Sequence, residues 1–300
     1  MSDAGLVELG QVEHALSELR GSDHAGSVRA TTLNLVVWCD DGNAVERAGT
    51  ALEAIGGSRP LRAIVLQSGE GRPLASVASS CWDGGGREVC SERVVIRGEP
   101  AALPSAVAYL LVPDLPVFVW WQGTIEEGDV VLHGLAAMAT RLVLDSDDAG
   151  IEAVDRMRSH APGLLDLAWV RTAGWREAVA GLFDGRAQRR ALDHLVAVEV
   201  RGPRNEARLL AGWLRSRTGR QVGLDHRAAT RLRRIELDCG DDLFVVEREP
   251  RGAHGVAGGS GIPDHPVPLP MQTISQVLSA ELDRLGADRV FEEALAAAAA

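Results

Sequence analysis

The strongest constraint in this chain is an apolar, β-branched run, Thr32 to Trp38 (TLNLVVW). A helical spacing from Asn43 to Ile55 follows it, and a second apolar run, Leu61 to Gln67 (LRAIVLQ), comes after a Gly56-Gly57 stop. Strand, helix and strand periods in that order mark a βαβ unit, which requires a parallel sheet with helices on its faces. Next, Ala75 to Trp82 and Glu88 to Ile96 read as strands on either side of Asp83-Gly84-Gly85-Gly86. Glycine-rich turn chemistry between them predicts a hairpin, so the sheet is mixed. Ala101 to Leu111 reads as helix, Pro116 to Trp121 as a buried strand, Leu132 to Thr140 as helix and Arg141 to Asp145 as strand. The fold expected over residues 31–147 is therefore an α/β domain with a mixed sheet, a βαβ unit plus a hairpin. Ahead of it, residues 1–30 are expected to form an N-terminal helix, Gly5 to Arg20, and a loop.

Beyond residue 147 the pattern changes to α+β, and residues 148–300 are expected to form a second domain, with the boundary near 147–163. Gly150 to His160, Arg171 to Phe183 and Asn205 to Arg217 carry helical spacing; His194 to Arg201 reads as a strand. Arg231 to Cys239 and Asp242 to Glu249 are strands about a Gly240-Asp241 turn, and Pro250 to Pro268 is a Gly- and Pro-rich loop with room for one further short strand. Thr273 to Leu285 and Asp288 to Ala298 close the chain as helices.

Charge narrows the partners. Thirty-one basic against 42 acidic residues give a net charge of −11, which nucleic-acid phosphates and anionic lipid would repel. All the side-chain cations are arginine, because the sequence has no lysine. Schiff-base chemistry and the P-loop lysine are thereby excluded. With neither a leader-like start nor an eighteen-residue apolar stretch, the expected location is cytoplasmic, with no membrane partner.

The chain carries few of the motifs that mark catalytic or cofactor sites. The first βα turn reads Cys39-Asp40-Asp41-Gly42-Asn43, where a phosphate would meet two carboxylates, and a dinucleotide fingerprint is absent. There is no GxSxG elbow, no HExxH or HxxxH pair and no CxxC. No catalytic residue, cofactor or metal is expected. Arg189-Arg190 and Arg231, Arg233 and Arg234 would suit a phosphorylated ligand, but ordinary surface cations explain them as well.

Two features carry more information. In Pro113 to Gly123 (PDLPVFVWWQG), adjacent Trp120 and Trp121 must face opposite sides of a strand. If helices cover both faces, both indoles are core; otherwise one is presented at the strand's carboxyl end, where α/β folds bind ligands or partners. In the hairpin, a two-residue loop at Gly85-Gly86 would pair Cys81 with Cys90 directly. Two unlinked thiols are the expectation there, with a reducible bridge as the alternative.

The segments Thr32 to Val37 (TLNLVV), Arg62 to Val65 (RAIV), the Cys81 and Cys90 hairpin, PDLPVFVWWQG, Arg141 to Ser146 (RLVLDS), Asp166 to Arg171 (DLAWVR) with Trp175-Arg176, Leu209 to Leu214 (LLAGWL) and Glu281 to Leu285 (ELDRL) resemble the OpcA family of glucose-6-phosphate dehydrogenase assembly proteins. The resemblance runs from about residue 30 to the end. One departure stands at Arg59-Pro60-Leu61-Arg62, where the family commonly has His-Pro ahead of a small residue and Arg. The resemblance implies a non-enzymatic partner that binds glucose-6-phosphate dehydrogenase, promotes its active oligomer as an allosteric activator, and so supports NADPH production in the oxidative pentose phosphate pathway. Asp114, Trp120 and Trp121 are the candidate contact residues for that partner, and Cys81 and Cys90 a candidate redox pair. The alternative function is a sugar-phosphate-binding or hydrolytic α/β enzyme.

Overall fold

The structure, a computed structural model, describes residues 2–23, 31–57, 59–83, 88–161, 163–250 and 252–300. The chain divides into two compact units. The first takes residues 1–144, 157–164 and 274–287; the second takes 145–156, 165–273 and 288–300.

The first unit is built on the strands β1 (Ser2–Glu8), β2 (Asn34–Cys39), β3 (Arg62–Ser68), β4 (Leu74–Asp83), β5 (Glu88–Gly98), β6 (Val117–Gln122) and β7 (Arg141–Leu144), with β8 (Leu164–Asp166) as the edge strand on which the chain leaves it. Their order is β1-β4-β5-β3-β2-β6-β7-β8. β2 pairs in parallel with both β3 and β6, and β3 in parallel with β5, whereas β4 runs antiparallel to β5 and β1 antiparallel to β4. This is the mixed sheet expected from a βαβ unit and a hairpin. Leu35, Val36 and Val37 are completely buried, which is why β2 reads as a continuous apolar run and not an alternating one. The helix Gly42–Gly56 begins where Asp41 accepts a hydrogen bond from the Ala44 amide at 2.7 Å, so this acidic turn is a helix cap. Buried Asn34 exchanges two hydrogen bonds with the Val112 backbone, at 3.0 and 2.8 Å, and so fixes the entry to the Pro113 to Pro116 turn.

The N-terminal segment corrects the reading of one helix over Gly5 to Arg20. Ser2–Glu8 is a strand that extends the sheet beside β4, a 3-10 turn covers Leu9–Gln11, and only Val12–Asp23 is helical. The apolar spacing misled because Leu6 belongs to no buried face and is 73% exposed, while Val12 and Leu16, one turn apart, are the residues that reach the core.

The second unit contains β9 (Ala197–Gly202), β10 (Gly223–Ala228), β11 (Arg234–Cys239), β12 (Asp242–Arg248), β13 (His254–Gly259) and β14 (Ile262–Pro268), in the order β10-β9-β11-β12-β13-β14. Helix Arg204–Thr218 carries the chain from β9 to its parallel neighbour β10 and buries Leu209, Leu210, Ala211 and Leu214. At Gly212 a side chain would meet the Ala294 carbonyl at 2.3 Å, so glycine is what lets helix Arg289–Ala299 lie against this one. The stretch Pro250 to Pro268 is not a loop with room for one strand: it holds two, β13 and β14, paired antiparallel. Beyond Pro250, its prolines, Pro263, Pro266 and Pro268, fall on β14, an edge strand, where a missing amide costs the sheet least. Strands β8 and β10 and helix Arg186–Ala191 had no counterpart in the sequence reading.

Candidate functional site

In the first unit the strand order reverses at β2, which has β3 on one side and β6 on the other, and crevices beyond the carboxyl ends of such strands are where open α/β sheets bind ligands. Cavities of about 360 and 350 Å³ open there. Their walls carry Asp40, Asp41, Glu126, Glu127 and Asp129 against a single cation, Arg97. This end therefore repels phosphate, as the sequence suggested. Cys39 at the strand end is buried, and burial, followed by the Asp40 charge, pushes its thiol up to about 12. A thiol held protonated is no nucleophile.

The two tryptophans of β6 are core. Trp121 stacks on its register partner Trp38 at 4.9 Å between ring centroids, and its indole N–H donates to the Thr124 carbonyl at 3.1 Å. Trp120 faces the other side of the sheet and is 1% exposed; Trp121 is 3% exposed. Neither is available as a contact residue, because both faces of β6 are covered. Asp114 does stand on the surface, in a left-handed turn with φ +63°, but it precedes the amino end of β6, whereas Trp120 and Trp121 lie toward its carboxyl end. The three contact candidates therefore form no common patch.

Cys81 and Cys90 are register partners with Cα atoms 4.1 Å apart, the close spacing of a non-hydrogen-bonded antiparallel pair, and they are joined by a disulfide. The expectation of two unlinked thiols gives way because the pairing is in register, with no odd residue to offset it. Residues 84–87, on which the glycine turn was placed, lie outside the described residues. At Arg59 to Arg62, the departure from the family pattern, both arginines are held by carboxylates. Arg59 bonds Asp283 at 2.7 Å, and buried Arg62 bonds Glu92 at 2.8 Å, Glu13, and the Leu110 carbonyl at 2.8 Å.

The densest polar constellation is in the second unit and grows from the segment Asp166 to Arg171. Asp166 is fully buried and caps helix Leu167–Arg171, its Oδ1 accepting from the amides of Ala168 and Ser146, both at 2.9 Å. One turn on, the Arg171 guanidinium donates twice to Asp145, at 2.8 and 3.0 Å, and once each to Asp147 and Glu206, both at 2.7 Å. One cation thus serves three carboxylates with a fourth, Asp166, behind them. Burial, reinforced by the Asp145 charge, pushes Asp166 up to about 7 against the pull of its Ser146 and Ala168 donors. Burial likewise pushes Glu206 up to about 7, outweighing Arg171. Trp169, in the same segment, donates its indole N–H to Asp288 at 3.0 Å and has the Arg176 guanidinium 3.3 Å above its ring. The arrangement clasps the turn at Asp145, the helix Leu167–Arg171 and the helix Arg204–Thr218 together.

Beside this clasp lies a cavity of about 180 Å³ whose walls include Arg171, Trp175, Glu206, Arg231 and Arg248. Sequence reasoning noticed Arg231, Arg233 and the DLAWVR and Trp175-Arg176 segments separately. It missed Glu206, Arg248 and Asp145 as their neighbours, since these lie 26 and 35 positions from Arg171 or further and only the fold brings them together. Among the described residues no set of three His, Cys, Asp or Glu side chains is placed to hold a metal ion, and no helix is long and apolar enough to cross a membrane.

Comparison with known proteins covers both units. Residues 52–159 match the family model described as the glucose-6-phosphate dehydrogenase subunit N-terminal domain, and residues 162–295 match the corresponding C-terminal domain. A protein of Synechococcus elongatus named OxPP cycle protein OpcA is 31% identical over 171 residues, 52% of this chain and 38% of its own length. One of the same name from Nostoc punctiforme is 26% identical over 261 residues, 69% of this chain and 56% of its own. The chain therefore spans only about a third to a little over half the length of these relatives. With the N- and C-terminal domain models matched in order along it, the chain belongs to the OpcA family.

Proposed function

We propose that this protein is a non-enzymatic assembly partner of glucose-6-phosphate dehydrogenase, acting in the oxidative pentose phosphate pathway and favouring the dehydrogenase's active state so that NADPH production rises. The observation that carries the proposal is the match of both halves of the chain to domains described as parts of a subunit of that dehydrogenase. The geometry agrees with it. The crevice at the strand ends is acidic, the one thiol there is held protonated, and the arginine clasp is committed to its own carboxylates.

An activator of this kind works by differential affinity: raising the ratio of active to inactive dehydrogenase tenfold requires binding the active form about 1.4 kcal/mol more tightly. Titrating the protein into the dehydrogenase while varying glucose 6-phosphate tests the reading. A lowered half-saturation concentration or a raised maximal rate is expected. An unchanged saturation curve at excess protein overturns it, and turnover of a sugar phosphate by the protein alone would favour the enzyme reading instead.

A further inference from the structure

We propose that the cavity beside Trp175 in the second unit is an anion site that takes the phosphate group of a small phosphorylated metabolite. Three features of its wall lead there. Arg231 and Arg248 line it, and Arg233 stands close enough for its charge, with that of Arg231, to bear on Arg248. Among the described residues none of these three guanidiniums forms an ion pair with a carboxylate, although the chain as a whole carries 42 acidic residues against 31 basic ones. The Glu206 carboxylate in the wall accepts from Arg171 and makes no ion pair with these arginines, though its charge partly offsets that of Arg248.

The second feature is preorganisation. Arg248 is fixed by neutral acceptors, donating to the Leu232 carbonyl at 3.3 Å and the Leu269 carbonyl at 2.5 Å, with its guanidinium 5.4 Å from the Trp175 ring centroid. Such contacts hold the fork in place without placing a carboxylate on it, which is what an anion site requires. Burial, followed by the charges of Arg231 and Arg233, lowers the Arg248 pKa from the usual arginine value, and the Glu206 charge opposes them only in part. Arg231, half-buried, has the Met271 sulfur as its neighbour at 3.0 Å, a weak acceptor that an anion would displace readily.

The third feature is size. A volume of about 180 Å³ is below the roughly 300–1,000 Å³ of sites that enclose a whole drug-sized ligand, so a dinucleotide is excluded and a head group fits. Separate guanidinium forks are better matched by a phosphate, with three terminal oxygens and nearly two negative charges, than by a single carboxylate.

The inference concerns the protein alone and does not rest on its partner, so calorimetric titration of the isolated full chain tests it. The probes are inorganic phosphate, glucose 6-phosphate, and chloride at matched ionic strength. Saturable binding of at least one phosphate probe, absent with chloride, is expected, and Arg231→Gln should weaken it at least tenfold. Arg220→Gln, an exposed arginine outside the cavity wall, should leave it unchanged. Among the described residues Arg231 makes no hydrogen bond to a backbone carbonyl that its loss would orphan, and a circular dichroism spectrum matching the parent establishes that the variant is folded. Inorganic phosphate binding as tightly as glucose 6-phosphate would mean a site for the free ion; tighter glucose 6-phosphate would mean a head-group site. No saturable binding of either phosphate probe, or equal affinity in Arg231→Gln, overturns the proposal.

Discussion

Replacing Arg171 with Met should unfasten the second unit in a way that depends on pH. The guanidinium makes four hydrogen bonds to three carboxylates, and the side chains of Glu206 and Asp145 are only 6% and 15% exposed. Removing one partner from a buried ion pair costs about 3–5 kcal/mol because charge is left without a counter-ion. Solvent reaches Arg171 and Asp147, 30% and 37% exposed, and screens part of that, so a loss of about 3 kcal/mol at pH 8 is expected. With a urea dependence of about 1–3 kcal/mol per molar, the unfolding midpoint should fall by roughly 1–3 M.

The pH dependence follows from Asp166 and Glu206, both raised to about 7 by burial. An acid whose folded pKa exceeds its unfolded value adds stability below the unfolded value, and that stability is lost as pH rises through about 7. The parent protein should therefore be more stable at pH 5.5 than at pH 8. In Arg171→Met the abandoned carboxylates take up protons more readily still, so its deficit should shrink to about half by pH 5.5. Urea unfolding followed by fluorescence at both pH values is the assay. A deficit below about 1 kcal/mol, or one equal at the two pH values, would refute the reasoning.

Three further outcomes follow from the packing. Trp120→Ala should cost about 3–5 kcal/mol in urea unfolding, the price of a large core cavity; a loss under about 1 kcal/mol would mean that the indole is not in the core. Reducing Cys81–Cys90, or replacing both with Ser, opens a loop with a sequence separation of 9, and chain entropy sets the loss at about 2.5 kcal/mol; an unchanged unfolding midpoint on adding reductant contradicts it. Gly212→Val should lower stability by about 1–3 kcal/mol, since its side chain would press on Ala294 and Ala298, and a thermal melt equal to the parent's would show that the helices can part freely.

Elements whose burial is one-dimensional were legible in the sequence. β2, β3 and β6 are buried on both faces and announce themselves as continuous apolar runs; Asp41 and Gly56 bracket their helix with ordinary end signals. β1 was not legible, because Leu6, Val7 and Leu9 fit a helical spacing and its strand state is imposed by pairing with β4. β13 and β14 were hidden by glycine and proline, which only an edge position and a close strand approach make tolerable. The hairpin register that pairs Cys81 with Cys90 followed from counting, but whether the sulfurs join did not. The Arg171 clasp was out of reach for another reason: Asp145, Asp147 and Glu206 are ordinary turn and helix carboxylates until the fold sets them around one guanidinium. Of the contact candidates, the aromatic pair looked informative because adjacent tryptophans must face opposite sides of a strand and interfaces favour the residue, yet two covered sheet faces claim both rings.

The most direct test of the assembly role is the mass of the dehydrogenase in solution with and without this protein, measured by light scattering on a sizing column. A co-eluting complex whose mass exceeds that of the dehydrogenase by the mass of bound 31.9 kDa chains, together with a shift of the dehydrogenase toward its active assembly, is the expected result. Two separate peaks at their individual masses, at concentrations well above those used for the activity titration, would contradict it.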